Sequence, residues 1–212
     1  MMSRYNMPQG IEAQFQPGSH GRVLMNRLGI IRKRDMDQAE YEALVKVQES
    51  YLHIITPDTR FTAGLLCDMH RDWLGGIYEW AGHYRTVDVE KSGFRWPPAY
   101  LVEQNMIAFE ADALAHHTPC QPGELHEVAW GIAVVHAELL LIHPFREGNG
   151  RLARWLAGLM ALQSGFPTPD YHFEGRGSRR EKALYLDAVK RGYVRDYRPL
   201  ADFFAETVER RL

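Results

Sequence analysis

The stretch HPFREGNGRLAR, His143 to Arg154, joins the two most regular helical patterns of the chain. Gly148 and Gly150 flank Asn149 directly before the second of these helices. Glycines let the backbone approach a ligand closely, and a helix N-terminus offers unpaired N–H groups at the positive end of its dipole. The stretch therefore predicts a cradle for phosphate groups.

The charged residues of the same stretch suit a nucleotide better than a single phosphate. Arg151 and Arg154 are three residues apart, so both project from one side of the helix's first turns. Glu147 offers the hard oxygen ligand that Mg²⁺ prefers beside phosphates, and His143 can take a proton near neutral pH. Each of these features alone is usually an ordinary turn, a helix end or a solvated helix face. Their occurrence together in one short stretch favours a site for in-line attack on a nucleotide phosphorus.

Apolar periodicity over the rest of the chain predicts a mostly α-helical single domain, residues 1–212. In the first helix, Tyr41, Leu44, Val45 and Leu52 lie on one face. The predicted helices are one from Asp37 that Pro57 ends, Phe61 to Leu74 with Asp58 or Thr59 as cap, Ala99 to about His116, Glu124–Ile142, Gly150–Gln163, Ser178–Lys190 and Pro199–Leu212.

Two segments depart from the helical period. Residues 1–32 form an irregular lead-in that is interrupted by several proline and glycine residues. Residues 84–97 predict a hairpin, because Tyr84, Thr86, Val87 and Val89 suggest a strand and Ser92–Gly93 is typical of a turn.

The composition restricts the class of protein. The chain has 212 residues and a formal net charge of -2, which indicates neither a nucleic-acid nor a membrane partner. Its two cysteines, Cys67 and Cys120, are too few for a disulfide framework. The N-terminus carries no signal-peptide pattern and no stretch approaches a membrane-spanning apolar length, so we expect a cytoplasmic protein.

The His143–Arg154 stretch matches the Fic family signature, H-x-F-x-D/E-G-N-G-R-x-x-R, at every specified position. The resemblance continues in Gly18 to Ile30, in YEWAG at Tyr78 to Gly82 with Arg85 after it, and in the C-terminal segment around Tyr185 and Tyr197. The chain is similar to AMP-transferring members, in particular the toxins of bipartite toxin–antitoxin pairs. This resemblance implies the Fic fold, a bundle of about seven to eight helices with one small β-hairpin flap.

The resemblance also implies a role for each residue of the motif. His143 would be the catalytic base that deprotonates the target hydroxyl, Glu147 would bind Mg²⁺, and Phe145 would anchor the loop in the core. The co-substrate would be ATP. Its phosphate-binding residues would be Gly148, Asn149, Gly150, Arg151 and, at the γ-phosphate, Arg154.

Outside the motif, the hairpin resembles the family's flap, which clamps the backbone of a target protein by strand addition. Its target-binding residues would be Val87, Val89, Lys91 and Phe94, although Lys91 is equally well explained as an exposed turn lysine. His136 lies seven residues before His143. It is either half of an incomplete metal pair or, as we favour, a hydrogen-bonded core histidine that steers the loop.

Many Fic proteins inhibit themselves with a helix bearing S/T-x-x-x-E-G/N, whose glutamate pairs with the second arginine of the motif, here Arg154. In this chain only Thr86 is followed by a glutamate four residues later, Glu90, and that pair lies in the predicted hairpin. We therefore expect a separate small antitoxin to supply the inhibitory helix. Relatives of that type modify type II topoisomerase subunits, which makes such a target an expectation by analogy.

Other functions remain alternatives on the sequence alone. Doc-type relatives transfer the γ-phosphate, but their loop has lysine in place of the second glycine and a changed acidic position, whereas this chain keeps Gly150 and Glu147. Transfer of UMP or another nucleoside phosphate fits the same motif. The intact motif disfavours a binding module with an inactive site, and a metal hydrolase lacks a three-ligand set.

Overall fold

The computed structural model describes residues 10–91 and 93–212, which form seven α-helices and one two-stranded hairpin, as the sequence predicts. Residues 1–9 of the lead-in and Ser92 of the predicted turn lie outside the described residues. The helices are α1 Lys33–Ile54, α2 Ala63–Leu74, α3 Val102–Phe109, α4 Leu125–Ile142, α5 Asn149–Gln163, α6 Ser178–Gly192 and α7 Arg198–Glu209, and the strands are β1 Glu90–Lys91 and β2 Phe94–Arg95.

Helix α4 lies at the centre of the bundle, where it contacts α3, α5, α6 and α7. Among the described residues it is the one helix long and apolar enough to cross a membrane, contrary to the expectation that no stretch has that length. A core helix has the same composition, and 61% of this helix is buried inside the fold. The burial of α4 fixes the position of its C-terminal end, where the motif begins.

Of the apolar face predicted for α1, only Leu44 packs on the core. Tyr41 and Leu52 are 58% and 57% exposed. Leu44 is buried together with residues that the pattern did not predict, so the inward set is Met36, Glu40, Leu44, Val47 and Tyr51. The polar member of that set is buried because it meets a cation from α5, as described below.

Several predicted boundaries differ from the structure because side chains bond outside their own segment. The cap of α2 is Thr62, whose Oγ1 accepts from the Leu65 N–H at 3.0 Å, and neither Asp58 nor Thr59. The hairpin strands are shorter than predicted, because Val87 and Asp88 bond to Arg85 and Ala99. The predicted helix from Ala99 begins with one 3₁₀ turn, Ala99–Leu101, and α3 continues through a π-helical turn, Glu110–Leu114, to Ala115–His117.

Candidate active site

The motif begins where α4 ends, because Pro144 cannot continue the helix. His143 takes the left-handed backbone conformation, with a φ of 53°, and its N–H donates to the Leu139 carbonyl at 3.0 Å. The His143 Nδ1 lies 3.3 Å from the carbonyl oxygen of Leu140. Because a carbonyl only accepts, this contact places the ring proton on Nδ1 and leaves the Nε2 lone pair for another partner.

The indole of Trp96 covers the imidazole of His143, with ring centroids 4.0 Å apart. Burial lowers the pKa of His143 to about 4, an effect that the hydrogen bond to Leu140 opposes and the charge of Arg85 reinforces. The imidazole is therefore neutral at pH 7, which is the form that accepts a proton. Sequence reasoning did not single out Trp96 for a role at this ring.

Phe145 and Asn149 close the loop on itself. The Phe145 N–H donates to Oδ1 of Asn149 at 2.9 Å, and Nδ2 of Asn149 donates back to the Phe145 carbonyl at 2.7 Å. Both residues are buried, and the Phe145 ring stacks on His70 with centroids 3.9 Å apart. The Asn149 side chain therefore holds the shape of the loop through both of its polar atoms. Its backbone N–H is the group that can still bind a ligand.

The cradle forms at the junction of this loop with α5. Gly148 has a φ of +87°, and a Cβ there would lie 2.9 Å from Cζ3 of Trp73, so only glycine lets the loop pass the indole. The N–H groups of Asn149 and Gly150 have no protein acceptor among the described residues. As the first N–H groups of α5 they form, with the helix dipole, a site for an anion.

His70 holds the part of the loop that carries Glu147, a role that no pattern in the sequence indicated. The Gly82 N–H donates to its Nδ1 at 2.8 Å, so Nε2 carries the proton and donates to the Glu147 carbonyl at 3.1 Å. Burial lowers the pKa of His70 to about 4, which keeps the ring neutral. The Glu147 carboxylate stays exposed, and its Oε1 accepts from the Gly148 N–H at 3.0 Å.

Arg151 is tied to α1 by an ion pair between residues far apart in the sequence. Its Nη2 lies 2.6 Å from Oε2 of Glu40, whose side chain is only 3% exposed. The guanidinium also lies 4.8 Å from the ring centre of Trp73 and 3.4 Å from Oε1 of Glu147. The Tyr78 hydroxyl donates to the other Glu40 oxygen. Arg151 is therefore held in place and paired before any ligand binds.

Arg154, three residues further along α5, has different surroundings. Its guanidinium lies 5.6–6.0 Å from the ring centres of Tyr171, Phe173 and Tyr185. Within residues 10–91 and 93–212, no Asp or Glu oxygen lies within 4.0 Å of its nitrogens. Its positive charge is therefore not paired with a carboxylate of the described chain.

The hairpin lies beside His143 and contacts it through Trp96. Lys91 of β1 pairs with Phe94 of β2 in an antiparallel register. Phe94 is half-buried between Trp96 and Tyr193, with centroids 5.0 and 5.2 Å from its own, whereas Lys91 is exposed. The other two residues expected at the flap, Val87 and Val89, are half-buried and precede β1.

His136 is buried between the helices that flank the motif. Its Nδ1 lies 3.1 Å from the Ala153 carbonyl oxygen, and its Nε2 lies 2.7 Å from the Tyr185 hydroxyl. Burial lowers the pKa of His136 to about 3, with a further decrease from the charge of Arg154. The described residues contain no group of three side chains able to hold a metal. His136 therefore supports α5 and α6 through hydrogen bonds and does not contact the loop directly.

An open groove of about 450 Å³ runs between α1 and α5. Arg151 and Arg154 line it together with apolar residues, which include Leu44, Val45, Leu52, Trp155, Leu159 and Leu162. Val45 and Leu52 are apolar but do not pack on the core, because they line this groove.

Known proteins share both the sequence and the fold. Residues 60–161 match the Fic/DOC family. The probable protein adenylyltransferase y4lH of Sinorhizobium fredii is 30% identical over 202 residues, which are 94% of this chain and 96% of that protein. The protein adenylyltransferase Fic of Nematostella vectensis is 32% identical over 158 residues, which are 74% of this chain and only 34% of the longer relative.

A solved structure shows the same fold at lower identity. The Bartonella tribocorum BepC protein, a VirB-translocated effector crystallised with bound AMPPNP, superposes with a TM-score of 0.75. The alignment covers 96% of this chain and 98% of that one at 22% identity.

Proposed function

This chain belongs to the Fic/DOC family, and on that premise we propose that it is a protein adenylyltransferase, which transfers AMP from ATP to a hydroxyl side chain of a target protein. One observation carries the proposal. The loop and the start of α5 bring together a neutral imidazole, N–H groups that have no acceptor among the described residues, and the cation of Arg154. These are a base, an anion site and a charge for a polyphosphate.

His143 acts as the base in this reaction. Its Nε2 takes the proton of the target hydroxyl while the hydroxyl oxygen attacks the α-phosphorus of ATP. As the new oxygen–phosphorus bond forms, the bond from that phosphorus to the bridging oxygen breaks, and pyrophosphate leaves with the electron pair. Phosphates bound nearby are negative, so they raise the pKa of His143 and make it a stronger base.

The phosphates bind at the start of α5. The N–H groups of Asn149 and Gly150, together with the helix dipole, hold the α- and β-phosphates next to Gly148. Arg151, positioned by Glu40, assists them, and Arg154 holds the γ-phosphate.

Glu147 fits the role of an Mg²⁺ ligand. Its carboxylate is exposed beside the cradle, and only Oε1 is engaged by protein groups of the described chain. Mg²⁺ in nucleotide sites commonly takes one or two carboxylates and completes its shell with water and phosphate oxygens. A bound ion would neutralise phosphate charge there.

The target protein binds along the hairpin. A two-stranded sheet leaves one edge of each strand unpaired, so an extended target segment can add to β1 or β2. Val87, Val89, Lys91 and Phe94 are the residues of this segment nearest to such a strand. Recognition through the main chain tolerates different target sequences, and a type II topoisomerase subunit in the cytoplasm is one target of this kind.

The test uses ATP labelled at the α- or the γ-position. The chain is incubated with lysate proteins, and separately with purified type II topoisomerase subunits. We expect a target to gain the α-label with the wild type but not with His143→Ala. The matched control is His126→Ala, an exposed histidine on the same helix, which should act like the wild type. Label from the γ-position alone, or full transfer by His143→Ala, contradicts the proposal.

A separate small antitoxin restrains the enzyme, with an inhibitory helix that occupies the groove between α1 and α5. Two observations support this part of the proposal. On α1 the groove offers the apolar side chains of Leu44, Val45 and Leu52 beside Gln48 and Glu49. Arg154 at its side has no carboxylate within 4.0 Å among the described residues. A glutamate from a docked helix would pair with Arg154 and exclude the γ-phosphate.

This restraint is tested with the small protein encoded next to this chain. Mixing the two should stop α-label transfer, and Leu52→Glu on α1 should restore it by placing a charge in the groove. Glu42→Lys, an exposed change elsewhere on α1, is the control. Undiminished transfer in the presence of the small protein would reject the antitoxin.

A further inference from the structure

Arg85 is the one arginine of the described chain that is almost fully buried, with 2% of its surface exposed. Among the described residues, no Asp or Glu oxygen lies within 4.0 Å of its nitrogens. A buried guanidinium without an ion pair is costly, so its hydrogen bonds must compensate for the lost water. Those bonds all go to backbone carbonyl groups, which makes the arrangement unusual.

The acceptors of Arg85 belong to two separate parts of the site. At the end of α4, Nε donates to the His143 carbonyl at 2.7 Å and Nη2 donates to the Ile142 carbonyl at 3.3 Å. At the hairpin, Nη1 donates to the Val87 carbonyl at 3.0 Å and Nη2 donates to the Pro97 carbonyl at 2.6 Å. One planar group therefore connects the backbone of the base to both ends of the flap.

The bonds at the end of α4 have a specific physical effect. The last carbonyls of a helix lack intrahelical partners and carry a partial negative charge, which a cation satisfies. His143 also has a left-handed backbone, which is uncommon for a residue other than glycine and must be held by its surroundings. The Nε bond to its carbonyl, together with the bond from the Arg85 N–H to the Pro144 carbonyl at 2.8 Å, holds the peptide on the C-terminal side of the imidazole.

The bonds at the hairpin fix where the flap stands relative to that imidazole. Val87 and Pro97 bracket strands β1 and β2, so their carbonyls define both ends of the flap. The five N–H groups of a guanidinium are coplanar and rigidly spaced, which a flexible ammonium group cannot reproduce. A shift of either part would therefore break bonds to the other.

We propose that Arg85 is a positioning residue, which aligns the target hydroxyl on the flap with Nε2 of His143. The inference rests on the proposed adenylyltransferase function, because it assumes that the flap carries the target and that His143 is the base. The bonds of Arg85 go to the backbone of the base and of the flap, so it acts through these two parts.

The test compares Arg85→Gln and Arg85→Lys with the wild type on the target found by α-labelling. A misplacement of about 1 Å costs on the order of 10²-fold in rate, so we expect kcat to fall by that order in Arg85→Gln. KM for the target should rise, whereas KM for ATP should stay within about twofold, because Arg85 makes no contact with the cradle. Arg85→Lys should recover only part of kcat. Arg191→Gln, an exposed arginine of α6, is the control.

Amide hydrogen exchange provides a measurement that needs no target. In Arg85→Gln we expect faster exchange in residues 84–91 and 140–145 together, with α7 unchanged. If Arg85→Gln does not fold, Arg85→Lys decides by the same measurements. A wild-type kcat in the folded variant, equal rises of both KM values, or exchange that changes everywhere or nowhere would overturn the positioning role. Failure of the proposed function looks different, because His143→Ala would then retain transfer.

Discussion

Arg151 and Arg154 lie three residues apart on α5, but their guanidinium groups have opposite surroundings. Arg151 is paired with the buried carboxylate of Glu40 at 2.6 Å. Arg154 is surrounded by three aromatic rings, and the described chain brings no carboxylate within 4.0 Å of it. The same residue type in one motif is therefore a fixed part of the scaffold in one case and, in the other, a charge without a carboxylate partner in the described chain.

This difference indicates which arginine is available to pair with an incoming anion. The charge of Arg151 is already balanced by α1, so its main contribution is a fixed hydrogen-bonding group next to the cradle. The charge of Arg154 is available to the first anion that arrives, whether a γ-phosphate or a carboxylate of a partner. An incoming anion can pair with Arg154 directly, whereas pairing fully with Arg151 would first require breaking its contact with Glu40.

The largest effect should come from Arg151→Met. This change leaves Glu40 buried without its cation, so we expect the free energy of unfolding to fall by about 3–5 kcal/mol in urea denaturation. In the double variant Glu40→Gln with Arg151→Met, the loss should be smaller than the sum of the two single losses. Additive losses would show that the pair contributes nothing to the scaffold.

Arg154→Met should have the opposite profile. We expect a smaller loss of stability than in Arg151→Met, but a fall of kcat/KM for ATP on the order of 10²–10³-fold, because the γ-phosphate loses its proposed charged partner. Steady-state transfer of α-label and urea denaturation of the same preparation check both parts. A variant that loses stability as strongly as Arg151→Met would remove the distinction between the two arginines.

A smaller change is expected when one ring around Arg154 is removed. Phe173→Leu keeps an apolar side chain but loses the aromatic face 5.6 Å from the guanidinium. Cation–π contacts of this kind contribute about 0.5–1 kcal/mol, so thermal unfolding should shift slightly and KM for ATP should change by a few fold. Tyr41→Leu, an exposed aromatic of α1, serves as control.

The smallest effect concerns His136, whose pKa is lowered by the nearby positive charge of Arg154. The pKa of His136 is about 3 in the folded protein and near 6.5 when unfolded, so stability present above pH 6.5 is lost as the pH falls toward 3. Arg154→Met should raise the folded pKa and move acid unfolding to lower pH. Proton NMR of the imidazole and circular dichroism measure the two changes, and an unchanged pKa would contradict the assignment.

The sequence predicted the helices whose apolar pattern is strong and local. Helices α4 and α5 begin within one residue of their predicted starts, because burial on a single stripe determines them. The inward face of helix α1 was harder to predict from the sequence, because it includes Glu40, whose partner lies on α5. The hairpin strands were overestimated because the carbonyl of Val87 bonds to Arg85 and not to a neighbouring strand.

The motif itself could be identified in the sequence because it is contiguous, but its supports could not. His70, Glu40 and Arg85 come from segments far from the loop, and only the fold brings them to it. The sequence contained one weak indication for Glu40. It is a charged residue one helical turn from Leu44, on the buried side of α1. Arg85 belonged to a segment that resembles the family, although its acceptors are backbone groups that no residue pattern displays.

The close approach of Gly148 to Trp73 has a practical consequence. A Cβ at that position would lie 2.9 Å from the indole, and the backbone there is left-handed. The single methyl group added by Gly148→Ala would therefore displace the phosphate cradle, although every ionisable side chain of the loop would still be present. Comparison of this variant with the wild type would separate the geometry of the phosphate cradle from the chemistry of its side chains, because the hairpin and the ionisable residues are unchanged.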